Sequence, residues 1–168
     1  MLQVCYIEGE ISIGIDVDGT LTNERLGEEI MVLTPDQIKK RYAKCTLKKG
    51  AEILFDREFN IWVITGRREE YRESTTDWLD MYGIPYKELV MVSNNFYAGG
   101  YSVEKYVGFK VDSHIQRNIR YALDDNIYVI DALNKNGIFA HRVDGDFREA
   151  FENVVKKKEK QKRIIGYG

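Results

Sequence analysis

Five short apolar runs, each bounded by turn residues and separated by stretches of helical period, restrict this chain to a narrow class of folds. They are residues 11–16 (ISIGID), 61–65 (IWVIT), 89–92 (LVMV), 120–123 (RYAL) and 138–143 (IFAHRV). Strands apolar at consecutive positions need cover on both faces, which parallel sheets obtain from crossover helices. Helical segments lie between them. Thr34-Pro35-Asp36 supplies an N-cap and a proline at the first helical position for a helix running to residues 41–44. Gly50 precedes a short helix over 51–57. Residues 69–82 place apolar or aromatic side chains at 71, 78, 79 and 82 and stop at Gly83. Further helices are expected over 101–117, 126–136 (closed by Gly137) and 147–155. The expected fold is α/β, with three layers in a Rossmann-like arrangement around a central, mainly parallel sheet.

Length and charge refine this. A chain of 168 residues is expected to form one domain over 1–155, followed by a basic tail at 156–168. The net charge of −2 averages two unlike parts: KKKEKQKR at 156–163 carries +5, leaving −7 for the rest. An acidic body with a basic tail excludes a uniformly basic nucleic-acid binder, and the tail reads first as the solvated end of a helix. Cys5 and Cys45 have no paired spacing, so neither a disulfide framework nor a structural zinc site is expected, and a reducing, cytoplasmic location is. No apolar run approaches the roughly 20 residues that span a bilayer, so no membrane partner is expected. Residues 1–10 lack a basic start and contain two glutamates, unlike a signal peptide.

In an open parallel sheet, ligands bind at the carboxyl ends of the strands. After the first run comes Asp16-Val17-Asp18-Gly19-Thr20. Two carboxylates two residues apart can converge on a hard cation such as Mg²⁺, or divide nucleophilic and proton-transfer work. The plain alternative is a polar turn. After the second run, Thr65-Gly66-Arg67 offers a hydroxyl, a loop entering a helix, and a guanidinium, a set suited to an anion. Lys105 lies in a helical stretch past the third run, with Lys110 as its rival. Asp124-Asp125 follows the fourth run and must face water or share a cation. His114 and His141 have no neighbouring ligand set and read as structural; Trp62, Trp78 and the other aromatics read as core.

Taken in order, these motifs resemble the haloacid dehalogenase (HAD) superfamily from residue 11 to about residue 143: DVDGTLT its first motif, ITGR its second, Lys105 its third and LDD its fourth. The resemblance implies that Asp16 is a nucleophile forming an aspartyl-phosphate and Asp18 a general acid, then base. It also implies that Thr65, Gly66, Arg67 and Lys105 hold the phosphate, and that Mg²⁺ is bound by Asp16, Asp18 (through its carbonyl) and Asp124 or Asp125. The choice of Lys105 over Lys110 rests on its 19-residue separation from Asp124, similar to that in the phosphatase domains of polynucleotide kinases.

The lengths between motifs leave room for only a minimal cap near 25–46, so the site is expected to be open, or closed by a partner subunit in a homodimer. Residues 64–89 resemble 5′(3′)-deoxyribonucleotidase-like and polynucleotide 3′-phosphatase-like members. A Mg²⁺-dependent phosphomonoesterase acting on a nucleotide or other small phosphate ester is the leading expectation. A 3′-phosphatase of nucleic-acid ends, and a catalytically silent binding module on the same fold, are the alternatives. The loop 93–101 (SNNFYAGGY) could stack a base or simply pack its aromatics down.

Overall fold

A computed structural model describes residues 11–26, 30, 32–55 and 59–165; for residues 11 and 157–165 only the backbone is described. Residues 1–10, with Cys5, lie outside the described residues, as do the side chains of most of the basic tail.

The five expected strands are present as β1 (Ile11–Ile15), β2 (Phe59–Arg68), β3 (Glu88–Val92), β4 (Tyr121–Asp124) and β5 (Phe139–Arg142). They form one sheet in the order β3-β2-β1-β4-β5, every pair parallel. The helices are α1 (Pro35–Ala43), α2 (Arg72–Met81), α3 (Val103–Gln116), α4 (Ile127–Lys135) and α5 (Phe147–Ile165). Thr34 caps α1 as expected: its side chain accepts from Gln37 N, and the Gln37 side chain accepts in return from Thr34 N.

β2, β3, β4 and β5 divide their side chains between the two faces of the sheet, while β1 sends Ile13 and Ile15 to one and turns Gly14 towards His114 on the other. Ile13, Ile15, Ile61 and Val63 meet Trp78 and Leu79 of α2 and Phe147, Phe151 and Val154 of α5. On the other face, Trp62, Ile64 and Val90 pack with Phe109 of α3, while Ala122 packs with Val129, Ile130 and Leu133 of α4. The sheet is thus sandwiched between two helical layers, and each strand is buried on both faces.

Two expectations are corrected. The segment after Thr65 is not a loop that enters a helix. β2 continues to Arg68, with a register shift against β3 between Ile64 and Arg68, and a 3₁₀ turn at Glu69–Tyr71 precedes α2. The N-terminus of α2 therefore stands beyond that turn, at Arg72, rather than adjoining Gly66. The helix expected at 51–57 is a 3₁₀ segment over Ala51–Phe55, and residues 56–58 lie outside the described set.

The excursion between β1 and β2 is pinched at its neck by an antiparallel bridge between Thr22 and Leu47. Asn23 Nδ2 donates to Thr46 Oγ1 (2.9 Å), and Thr46 N donates to Glu24 Oε2 (2.9 Å). Trp78 Nε1 of α2 donates to Cys45 O (2.9 Å), tying the neck to the body. From it α1 sends Ile38 and Tyr42 against Tyr71, with Leu26, Ile30 and Leu33 packed around them.

Candidate active site

The strand order reverses direction about β1, whose neighbours are β2 and β4, and a crevice opens at the carboxyl ends of such strands. Asp16 leaves β1 there, its N–H donating to Leu123 O of β4 (3.0 Å). The chain then turns sharply: Thr20, Leu21 and Thr22 N–H groups all converge on Val17 O. Gly19 sits at φ +79°, and a Cβ there would lie 2.5 Å from Asp125 Oδ2, so both backbone conformation and space require glycine.

Asp16, Asp124 and Asp125 each offer a carboxylate oxygen within 4.8 Å of the others. Into this group reaches Lys110 of α3, fully buried. Its Nζ donates to Asp16 Oδ1 (2.6 Å), Asp124 Oδ2 (2.9 Å) and Ile64 O (2.6 Å), using all three ammonium hydrogens. Burial alone would lower the Lys110 pKa, but Asp124 and Asp16 more than reverse this and hold it above its ordinary value. Burial pushes the Asp16 carboxyl well above the usual range; Lys110 opposes that, and the neighbouring aspartates add to it. Asp125, also raised chiefly by burial, pairs with Arg25 Nε at 2.9 Å.

Lys105 is not brought to this group. It is exposed, donates to Phe96 O, and lies over the Phe96 ring at 4.6 Å. Five residues of α-helix turn a side chain by about 140°, so the two lysines cannot share a face. Lys110 belongs to the sheet-facing side with Tyr106, Ser113 and His114, at helical spacings of three and four.

Arg67 has a different station from the phosphate-facing one expected. Its Nη2 donates to Asp18 Oδ1 (2.6 Å), its Nε to Asp18 Oδ2 (3.0 Å), and its Nη1 to Thr75 Oγ1 (3.4 Å). The guanidinium lies 3.8 Å from the centre of the Tyr42 ring and is only 2% exposed. It orients Asp18 through a two-pronged contact. Thr65 is buried, and its hydroxyl accepts from Arg67 N (3.2 Å). Gly66 has no room for a Cβ, which would come 2.6 Å from Tyr106 and 2.8 Å from Tyr97 Oη.

Asp16 and Asp18 open into a cavity of about 460 Å³, within the size range of small-molecule sites. Its walls include Tyr97 and Tyr101 of the loop 93–101, which the sequence leaves open between stacking a base and packing inward, and Tyr42, Tyr106 and Tyr128, which the sequence assigns to the core by default. The periodicity of α3 was the available signal for Tyr106, four residues before Lys110. Tyr128 stands just past the carboxyl end of β4, where such sites lie, whereas no comparable local signal marks Tyr42, which reaches the cavity through tertiary packing.

The cluster suits a hard divalent cation. All its donors are carboxylate oxygens, Lys110 touches only one oxygen each of Asp16 and Asp124, and Arg25 pairs with one of Asp125. Asp124 Oδ1 accepts from Asn126 N (2.9 Å), which fixes that carboxylate's orientation. Among the described residues, no helix is long and apolar enough to cross a membrane.

No protein-family model matches the chain, nor does any curated protein. Solved structures do. A chain of the Pnkp1/Rnl/Hen1 RNA repair complex superposes with a TM-score of 0.61 at 20% identity, over 83% of this chain and 44% of that one. The HAD domain of the effector protein Lem4 from Legionella pneumophila gives 0.53 at 15% identity, covering 88% and 94%. D,D-heptose 1.7-bisphosphate phosphatase from B. bronchiseptica, complexed with magnesium and phosphate, gives 0.54 at 15% identity, covering 85% and 86%. This chain thus spans under half the length of the first of these and most of the other two. The fold of this protein is that of the haloacid dehalogenase superfamily.

Proposed function

We propose that the protein is a Mg²⁺-dependent phosphomonoesterase working through an aspartyl-phosphate on Asp16, with a nucleotide or other small phosphate ester as substrate. The observation that carries this reading is the convergence of Asp16, Lys110, Asp124 and Asp125 at the switch point of the sheet, with Asp18 beside them on an open cavity. The first step forms a bond from an Asp16 carboxylate oxygen to phosphorus while the ester P–O bond breaks. Asp18 delivers a proton to the departing alkoxide. Water, losing its proton to Asp18, then displaces phosphate from Asp16. Arg67 uses one side of each Asp18 oxygen and leaves lone pairs for this proton exchange.

Two anions approach one another only where positive charge offsets them. Lys110 supplies part of it, already anchored on Asp16. A Mg²⁺ ion held by Asp16, Asp124, Asp125 and the Asp18 carbonyl would supply the rest by polarising the phosphoryl oxygens. Thr65 and Gly66 border the phosphoryl position in this reading, and Lys110 supplies the positive charge expected of Lys105, donating to a phosphoryl oxygen only by exchanging one of its three present acceptors.

Phosphate release from a broad ester panel, with Mg²⁺ and with EDTA, tests the proposal. Activity that requires metal and disappears in Asp16→Asn supports it; no release from any ester refutes it. The likeness to a chain of an RNA repair complex favours one second reading, a 3′-phosphatase of nucleic-acid ends. Hydrolysis of a 3′-phosphorylated oligonucleotide, with mononucleotides untouched, would select it.

A further inference from the structure

Among the described residues, the charged groups that line the cavity are tied to partners within the protein. Arg25 pairs with Asp125, Arg67 with Asp18, and Arg68 with Glu70 and Tyr71 Oη; Arg142 Nε donates to Asp125 O (3.1 Å). Beside them the cavity offers a leaving group a large aromatic and aliphatic surface. Tyr101, Ile127 and Tyr128 line this cavity yet stay 39%, 44% and 61% exposed. Large apolar side chains gathered at the mouth of a polar site mark a place where something apolar docks.

One part of this surface is a braced platform. Phe109 of α3 meets Phe96 edge-on (5.7 Å between centroids), and Phe96 meets Tyr97 edge-on (4.9 Å). Tyr97 Oη donates to Gly66 O (2.8 Å), which fastens the loop 93–101 to β2 beside the candidate phosphoryl position. The Tyr101 ring then stacks on Tyr97 at 6.2 Å and 26°, with Tyr106 6.0 Å away. Gly66 makes this approach feasible, because any Cβ there would collide with Tyr97 and Tyr106. A tyrosine held in place by other rings presents a π-face with little conformational entropy left to lose.

We propose that this cavity selects phosphate esters whose leaving group carries a planar aromatic ring, with Tyr101 and Tyr128 as the residues that contact it. The proposal rests on the phosphomonoesterase reading for the placement of the phosphate. A nucleoside and a simple aryl group share the recognised chemistry. Sugar or aliphatic esters would bring nothing planar to these rings.

The test uses two matched pairs of ligands: AMP with ribose 5-phosphate, and phenyl phosphate with glycerol phosphate. Each is titrated calorimetrically with Mg²⁺ into the Asp16→Asn protein, so that turnover does not intrude. AMP is expected to bind at least about tenfold more tightly than ribose 5-phosphate, within the range of base–aromatic stacking. Tyr101→Leu should bring the ratio toward one, Tyr128→Leu should reduce it, and Tyr101→Phe should keep it. A similar ratio for phenyl over glycerol phosphate identifies any aryl ester as acceptable; preference for AMP alone identifies a nucleotide. Equal binding of AMP and ribose 5-phosphate, or a preference that survives Tyr101→Leu, overturns the proposal. Its failure is separable from failure of the enzymatic reading. Hydrolysis without ring preference refutes only the proposal. Ring-selective binding without phosphate release from any ester by the unmodified protein refutes only the enzymatic reading.

Discussion

Replacing Lys110 with methionine should destabilise the protein severely, and the structure says by how much. Met fills nearly the same volume, so packing changes little. What disappears is the cation bonded to Asp16, Asp124 and Ile64 O, itself fully buried beneath the cavity with both carboxylates nearly so. Removing one partner of a buried ion pair costs about 3–5 kcal/mol, because the remaining charge is left uncompensated. At about 2–4 °C per kcal/mol for a chain of this size, the melting temperature should fall by roughly 6–20 °C. Lys105→Met, on the exposed side of the same helix, should stay within about 0.5 kcal/mol of the parent. The deficit should also depend on pH. The folded-state pKa of Lys110 is raised, so its stabilisation is fully present at neutral pH and lost only under strongly alkaline conditions. Without Lys110, the already raised Asp16 pKa climbs further, and the folded state takes up a proton that the unfolded chain does not hold. Stability of the variant therefore falls as pH rises through that window and recovers on acidification. Thermal unfolding in EDTA at about pH 7.5 and about pH 5 reads both effects. A Lys110→Met shift no larger than that of Lys105→Met, or a deficit unchanged at low pH, would show that Lys110 is not the buried counter-charge described above.

Three further outcomes follow from the same geometry. His114, buried with Nδ1 2.7 Å from Lys110 O and Nε2 unpartnered against Gly14, has its pKa lowered to about 4 by desolvation. The unfolded chain therefore binds a proton that the folded one refuses. Stability should fall by up to about 3 kcal/mol as pH drops from about 6.5 towards 4, and denaturant titrations of His114→Leu should lack this component. Gly66→Ala drives a Cβ into Tyr106 and Tyr97, so it should cost about 1–3 kcal/mol in denaturant melts, with part recovered on adding Tyr106→Ala. Arg67→Lys keeps a charge but loses the two-pronged grip on Asp18 and the contact with Tyr42. It should cost about 1.5–3 kcal/mol and, in steady-state kinetics, lower kcat more than it raises KM.

The strands were legible because a parallel strand buried on both faces shows in sequence as a continuous apolar run, and all five runs became strands of one parallel sheet. The carboxylates were legible because they stand directly after such runs: Asp16 after β1, and Asp124 and Asp125 at the end of β4. Beyond Thr65 the signal failed. Gly66, Arg67 and Arg68 look like a polar turn, yet Arg68 pairs with Val92 and Arg67 reaches Asp18, 49 residues earlier in the chain, and these distant contacts continue the strand. The lysine was misplaced for another reason. A count of residues to Asp124 favoured Lys105, whereas the face of α3 shared by Tyr106, Ser113 and His114 points to Lys110. Helical phase carries more physical information than linear separation, since it decides which side chains meet the sheet.

Whether Asp16 carries the phosphoryl group is open to direct measurement. The protein is mixed with Mg²⁺ and a hydrolysed ester, quenched in acid, and its peptides are mapped by mass spectrometry. A phosphoryl adduct on Asp16 during turnover, absent from Asp16→Asn, is the expected result. Phosphate release with Asp16 unmodified, or with the adduct on another residue, would contradict it.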